Sequence, residues 1–144
     1  MTYVIAICHQ KGGVAKTTTT LSLGASFSGQ GIKTLLIDLD PQANLTSGIG
    51  LDSSDARYSI AEVLQGEVDI ATAKMETSLP ALDIVPSTDA MLMLGRQLYQ
   101  IPEYEYKLRR ALQESAVQKY QVVLLDCPPS VGPLTLNALT AANL

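Results

Sequence analysis

Three short apolar runs constrain this chain more than any other feature. YVIAIC (3–8), KTLLIDL (33–39) and YQVVLLDCPPS (120–130) each carry an unbroken apolar stretch that ends in polar residues. Continuous rather than alternating apolar character is the mark of strands buried on both faces. Helical patterns fill the intervals, so the strands must run parallel and be joined by crossovers. The expectation is an α/β protein with a mostly parallel sheet, whose ligands sit beyond the carboxyl ends of the strands. At those ends fall Gly12 and Gly13, Asp38 and Asp40, and Asp126.

The intervals are read as follows. A helix runs from about Lys16 to Ser28, closed by Gly29 and Gly31, and a Pro, Asn, Ser and Gly-rich loop spans Asp40 to Gly50. Residues 59–65 form a short helix and Leu82 to Val85 a short strand. Ser87 or Thr88 caps a helix with Met91, Leu94 and Leu98 on one face. A longer helix runs from Pro102 to Gln118, burying Tyr104, Leu108, Ala111 and Leu112, with Glu103–Lys107 and Glu105–Arg109 paired at i,i+4. Pro133 opens a last helix.

With 144 residues, 47% apolar and 17% charged, the chain has material for one core. Ten basic against fourteen acidic residues give a net charge of −4, and no Lys/Arg cluster is expected anywhere, the densest basic spot being Lys107, Arg109 and Arg110. A grip on nucleic acid through phosphates is therefore not expected of this stretch by itself. The start has no basic leader and no run reaches a membrane span, so the reading is a cytoplasmic chain with no membrane contact. Cys8 and Cys127 offer neither metal spacing nor a disulfide framework and read as small thiols at strand ends.

The segment CHQKGGVAKTTTT (8–20) carries the chemistry. The ordinary phosphate-loop pattern, G-x-x-x-x-G-K-[ST], fails, because Gln10 and Ala15 stand where glycine is required. The physics of an anion site nevertheless remains. Gly12 and Gly13 free the backbone to turn its N–H groups inward, and the following helix presents its positive end. Lys16 has the reach for β- and γ-phosphates, and the Thr17 hydroxyl suits a Mg²⁺ ion. Asp126 closes a strand in the form of a Walker B motif, binding Mg²⁺ through water. Asp38 and Asp40 end their strand aimed at the same loop.

KGGVAKTT (11–18) resembles the deviant Walker A loop of the ParA/MinD superfamily of ATPases, marked by the additional lysine at Lys11. DLDPQANLT (38–46) is similar to the first switch of ParA/Soj-type partition ATPases, with Ala43 in place of the family's glycine, and DCPPS (126–130) resembles the second switch. MinD proteins, nitrogenase iron proteins and amidating synthetases differ at the first switch.

The resemblance implies a P-loop NTPase-like three-layer α/β/α fold. It implies ATP bound by Lys11, Gly12, Gly13, Val14, Ala15, Lys16, Thr17 and Thr18, and Mg²⁺ held by Thr17, Asp38 and Asp126. Lys11 would reach the partner's ATP in an ATP-dependent homodimer, and Asp40 would position the hydrolytic water. It further implies a ParB-like activator and nonspecific DNA binding on the nucleoid, through regions mostly outside this stretch. A weakly hydrolysing scaffold for another cargo and a MinD-like membrane regulator are the alternatives. The apolar pattern is still running at Leu144, so residues 1–144 are expected to be the N-terminal nucleotide-binding part of one ATPase domain, its C-terminal portion missing.

Overall fold

The computed structural model describes residues 1–8 and 13–144, with the backbone alone described at Gly13 and Val14. Strand β1 (Tyr3–Ile7) leads to helix α1 (Gly13–Gly29), then to β2 (Thr34–Asp38) and the short α2 (Asn44–Gly48). Helices α3 (Ile60–Leu64) and α4 (Ile70–Ala73) precede the short edge strand β3 (Met75–Glu76) and strand β4 (Leu82–Val85). Helix α5 (Ala90–Gln97), α6 (Lys107–Ala111), strand β5 (Val122–Asp126) and α7 (Pro133–Ala141) complete the order. The sheet runs β1-β5-β2-β4-β3, parallel throughout except for β3 against β4.

Alternation along each strand divides the apolar residues between two layers. Leu36, Ile84, Val122 and Leu124 point to the α1 side, where Leu21, Leu23 and Phe27 pack. Leu35, Ile37, Val85, Val123 and Leu125 point to the other side, under Ile60, Leu64, Met91, Leu108 and Leu134. Both faces of β2 and β5 are covered, which is why their sequences are unbroken apolar runs. The three-layer α/β/α arrangement is thus present. Among the described residues, no helix is long and apolar enough to cross a membrane.

Several local expectations are revised. The span 102–118 is not one helix. Glu103 takes a left-handed φ of 57° and Glu114 is extended, leaving α6 between two short 3₁₀ segments. Glu114 leaves the helical path to accept hydrogen bonds from the Ile70 and Ala71 N–H groups, capping α4. Glu103 pairs with Arg110 rather than Lys107. The loop after Asp40 contains α2, and α1 begins three residues ahead of Lys16. Helix α5 starts after Asp89 without a side-chain cap, although Met91, Leu94 and Leu98 are buried on one face as expected. Ser59 and Glu62 form a reciprocal capping box on α3.

The charge reading is also corrected. Lys33, Lys74 and Lys119, scattered in sequence, share one cleft at the amino ends of the central strands. Lys33 and Lys119 lie 5.9 and 5.4 Å from the Tyr120 ring centre, while Lys74 sits 3.5 Å from Asp83. Proximity of Lys74, followed by slight desolvation, lowers the Lys119 pKa.

Candidate functional site

The parallel register brings the strand-end acids to one level. Asp38 is aligned with Asp126, and Ile7 with Asp126 on the other side, so the exits of β1, β5 and β2 form one rim. Helix α1 packs against this rim with its amino end toward it, and its first turns carry Lys16 and Thr17 inward. Both side chains are buried, whereas Ala15 and Thr18 are exposed. His9, Gln10, Lys11 and Gly12 lie outside the described residues, as do the side chains of Gly13 and Val14.

Lys16 is the centre of the arrangement. Its Nζ lies 2.9 Å from Asp126 Oδ1 and 4.0 Å from Asp40 Oδ2, and it donates to the Cys127 carbonyl. The contact with Asp126 Oδ1 is a close charge pair, and among the described residues that oxygen has no further hydrogen-bond partner. The other Asp126 oxygen accepts from Thr17 Oγ1 at 3.1 Å. Burial pushes the Asp126 carboxyl up, and Lys16 and Thr17 pull it part of the way back.

Asp38 does different work from Asp126. Its Oδ1 accepts from the Asp40 N–H at 3.1 Å, and its Oδ2 accepts from Thr46 N–H and Oγ1 at 3.0 and 2.8 Å. Thr46 Oγ1 in turn accepts from the Ser87 N–H at 3.1 Å, tying the loop after β2 to the end of β4. Burial raises the Asp38 carboxyl to about 7 against these hydrogen bonds. Asp40 is buried and accepts from the Gln42 N–H at 3.0 Å through Oδ1, while its Oδ2 faces Lys16. A cleft of ≈ 310 Å³ opens beside it, lined by Pro41, Met91, Arg96, Pro128 and Ser130.

The two alanines that stand where glycine is expected, Ala15 and Ala43, separate cleanly. Ala15 is helical and its side chain is exposed, so its methyl meets no backbone restriction. Ala43 has φ 55° and ψ 34°, the left-handed region that costs a non-glycine residue ~1–2 kcal/mol. The strain therefore falls at Ala43, in the loop after Asp40, and not at Ala15.

Asp126 and Asp40 flank the buried Lys16 ammonium, and Asp38 is buried beside them on the neighbouring strand, so among the described residues the buried acids outnumber the buried cation. Burial raises the pKa values of two of the three acids, Asp38 and Asp126, and the neighbouring carboxylate adds to the shift in each case. The donors Thr17 Oγ1 and Asp126 are hard oxygens, the type that a small divalent cation takes. The site thus fits such an ion in both charge and donor chemistry. Sequence reasoning found every acid here but assigned Thr46 nothing. Thr46 closes the DLDPQANLT run, and a threonine eight residues after an acid was the available signal.

A family model described as "AAA domain" matches residues 2–144. The sporulation initiation inhibitor protein Soj of Bacillus subtilis is 41% identical over 142 residues, covering 97% of this chain and 55% of Soj. The chromosome partitioning protein ParA of Caulobacter vibrioides is 43% identical over 141 residues, covering 97% of this chain and 53% of ParA. Among solved structures, a cobyrinic acid a,c-diamide synthase from Mycobacterium smegmatis with bound ATP analog and magnesium superposes with a TM-score of 0.92 at 43% identity. The match covers 99% of this chain and 57% of that one. The chain spans about half the length of the curated relatives it matches.

Proposed function

This chain belongs to the AAA domain family and is ParA/Soj-like, and from that premise we propose that it is the nucleotide-binding part of an ATP-driven partition switch. In this reading residues 1–144 are the N-terminal part of one P-loop ATPase domain. It binds ATP with Mg²⁺ and hydrolyses it slowly to ADP and phosphate. The observation that carries the reading is the buried Lys16 ammonium, held between Asp126 and Asp40 at the amino end of α1.

The chemistry assigned to each group follows from its position. Lys16 competes between Asp126 and an incoming phosphate, and the backbone N–H groups at the start of α1 receive the phosphate oxygens. Thr17 and Asp126 would hold the Mg²⁺ ion, directly and through water. The ion, when bound, neutralises charge on the phosphates. Asp40 faces the same pocket and orients the attacking water. Asp38 is a positioning residue, since both of its oxygens are committed to the loop that carries Asp40. Lys11 completes the partner's site in an ATP-dependent homodimer. The remaining roles are stimulation by a ParB-like activator and nonspecific DNA binding on the nucleoid, within the cytoplasm.

A fluorescent-nucleotide titration of the Lys16→Ala variant tests the site. Loss of Mg²⁺-dependent ATP binding is expected, and unchanged binding overturns the reading. A second reading, a synthase like the M. smegmatis protein, draws on the 43% identity. Hydrolysis that rises with DNA and a ParB-like partner decides for the switch. Hydrolysis that rises only with glutamine and a carboxylate substrate decides for the synthase.

A further inference from the structure

The sequence offers Cys8 and Cys127 as separate thiols, but the topology sets them side by side. β1 and β5 are adjacent parallel strands in the register Ile7↔Asp126. Each cysteine is the next residue on its strand, and the Cys127 N–H still donates to the Ile7 carbonyl at 3.2 Å. Neighbouring strands keep backbones ~4.8 Å apart, within the roughly 4.4–6.8 Å that a disulfide spans between Cα atoms. The side chains turn toward each other, with the two Sγ atoms in contact at 2.6 Å. Cys127 is buried and Cys8 exposed, so a reagent in water reaches one member of the pair.

We propose that Cys8 and Cys127 are a redox-modification site, forming an intramolecular disulfide that couples oxidation to the nucleotide pocket. The bond joins residues 119 apart in sequence and requires no rearrangement of the sheet. The oxidant is a small-molecule disulfide of the glutathione class. Cys8 gives its proton to solvent, and its sulfur attacks one sulfur of that disulfide. The small S–S bond breaks and one small thiol leaves. The Cys127 sulfur then attacks Cys8 Sγ, releasing the second small thiol along with the Cys127 proton. Two electrons have passed from the protein thiols to the small disulfide.

The coupling rests on the function proposed above. The Cys127 carbonyl is an acceptor for Lys16, and Asp126 directly precedes it. A bond from Cys127 to the exit of β1 fixes that carbonyl on the lysine, so a phosphate must compete with an immobile acceptor. Losing the equivalent of one charge-assisted hydrogen bond weakens nucleotide binding by about tenfold.

The test equilibrates the purified chain with oxidised and reduced glutathione in graded ratios, then counts thiols by maleimide labelling and mass. Both thiols are expected to vanish together in a monomer lighter by two hydrogens, and reductant restores them. Independent loss of the thiols, a stable glutathione adduct on the wild-type chain, or only intermolecular dimers would overturn the site. The variants Cys8→Ser and Cys127→Ser should each stop at the adduct or the free thiol. Fluorescent ATP titration of the reduced and oxidised forms then tests the coupling, and equal affinities overturn it. A reduced chain that binds no nucleotide overturns the function and the coupling, whereas the thiol count still decides the bond.

Discussion

The two ends of the sheet handle charge in opposite ways. At the carboxyl ends, Asp38, Asp40 and Asp126 are buried with Lys16, and the acids outnumber the cation. At the amino ends, Lys33, Lys74 and Lys119 gather around Asp83 and the Tyr120 ring in an open cleft. Water screens the second cluster, so its repulsion costs little and exposed charge pairs there contribute little. No such screening reaches the first. Burial there penalises the charged carboxylates directly, and the raised pKa values of Asp38 and Asp126 are its sign. Burial, not the number of charges, separates a reactive end from an inert one.

Removing Lys16 is the hardest blow to this contrast. Lys16→Ala leaves three buried acids without a cation. The expected costs are about 3–5 kcal/mol in a urea melt near neutral pH and ~100-fold or more in nucleotide affinity. A variant as stable as the parent would show that the acids are not effectively buried. Asp40→Ala is expected to keep ATP binding and to lose turnover by about 10²–10⁴-fold, the range of a positioned proton acceptor. Phosphate release at the parent rate would remove Asp40 from its role.

Titration sharpens the contrast further. Asp38 is raised from 3.8 to about 7 in the folded chain, so between those values the folded state holds more protons than the unfolded one. Stability is then fullest below about pH 4 as far as this group is concerned, and falls as pH rises toward about 7. Asp126 shifts in the same direction and adds to the slope. Asp38→Asn should flatten the dependence in denaturant melts between those limits, and an unchanged slope would place the effect elsewhere.

The amino end should respond far less. Tyr120→Phe removes the hydroxyl that donates to Asp83 and is expected to cost about 1 kcal/mol. Smallest of all is Ala43→Gly. Relief of ~1–2 kcal/mol of left-handed strain is offset by ~0.5–1 kcal/mol of added chain entropy. The net gain of about 0–1.5 kcal/mol is readable as a small rise in Tm.

What the sequence disclosed, and what it did not, divides along physical lines. The buried strands were legible because burial on both faces leaves no room for polar residues in β2 and β5. Lys16, Thr17 and the three acids were legible because strand ends followed by chemistry-bearing residues mark the rim of a parallel sheet. The break in the 102–118 helix was not, since Glu114 leaves it for the amide groups of α4, a partner 44 positions away. The lysine cluster was equally hidden, as its members come from three segments far apart in sequence. Thr46 stood in a quoted motif, but its bond to Asp38 depends on the turn of α2, which a Pro- and Asn-rich segment does not announce. The thiol pair required the strand order, which no local pattern encodes.

That strand order also bears on how the chain is made. β5 separates β1 from β2, although it follows both by more than eighty residues. A growing chain therefore presents its first two parallel strands before their common partner exists. Until residues 122–126 emerge, those edges are open and apolar, the condition that favours intermolecular pairing. Assembly of this sheet is a late, long-range event, slower than for helical folds of similar size. Little folding of any nascent chain that stops short of β5 is the kinetic signature expected of that inserted strand.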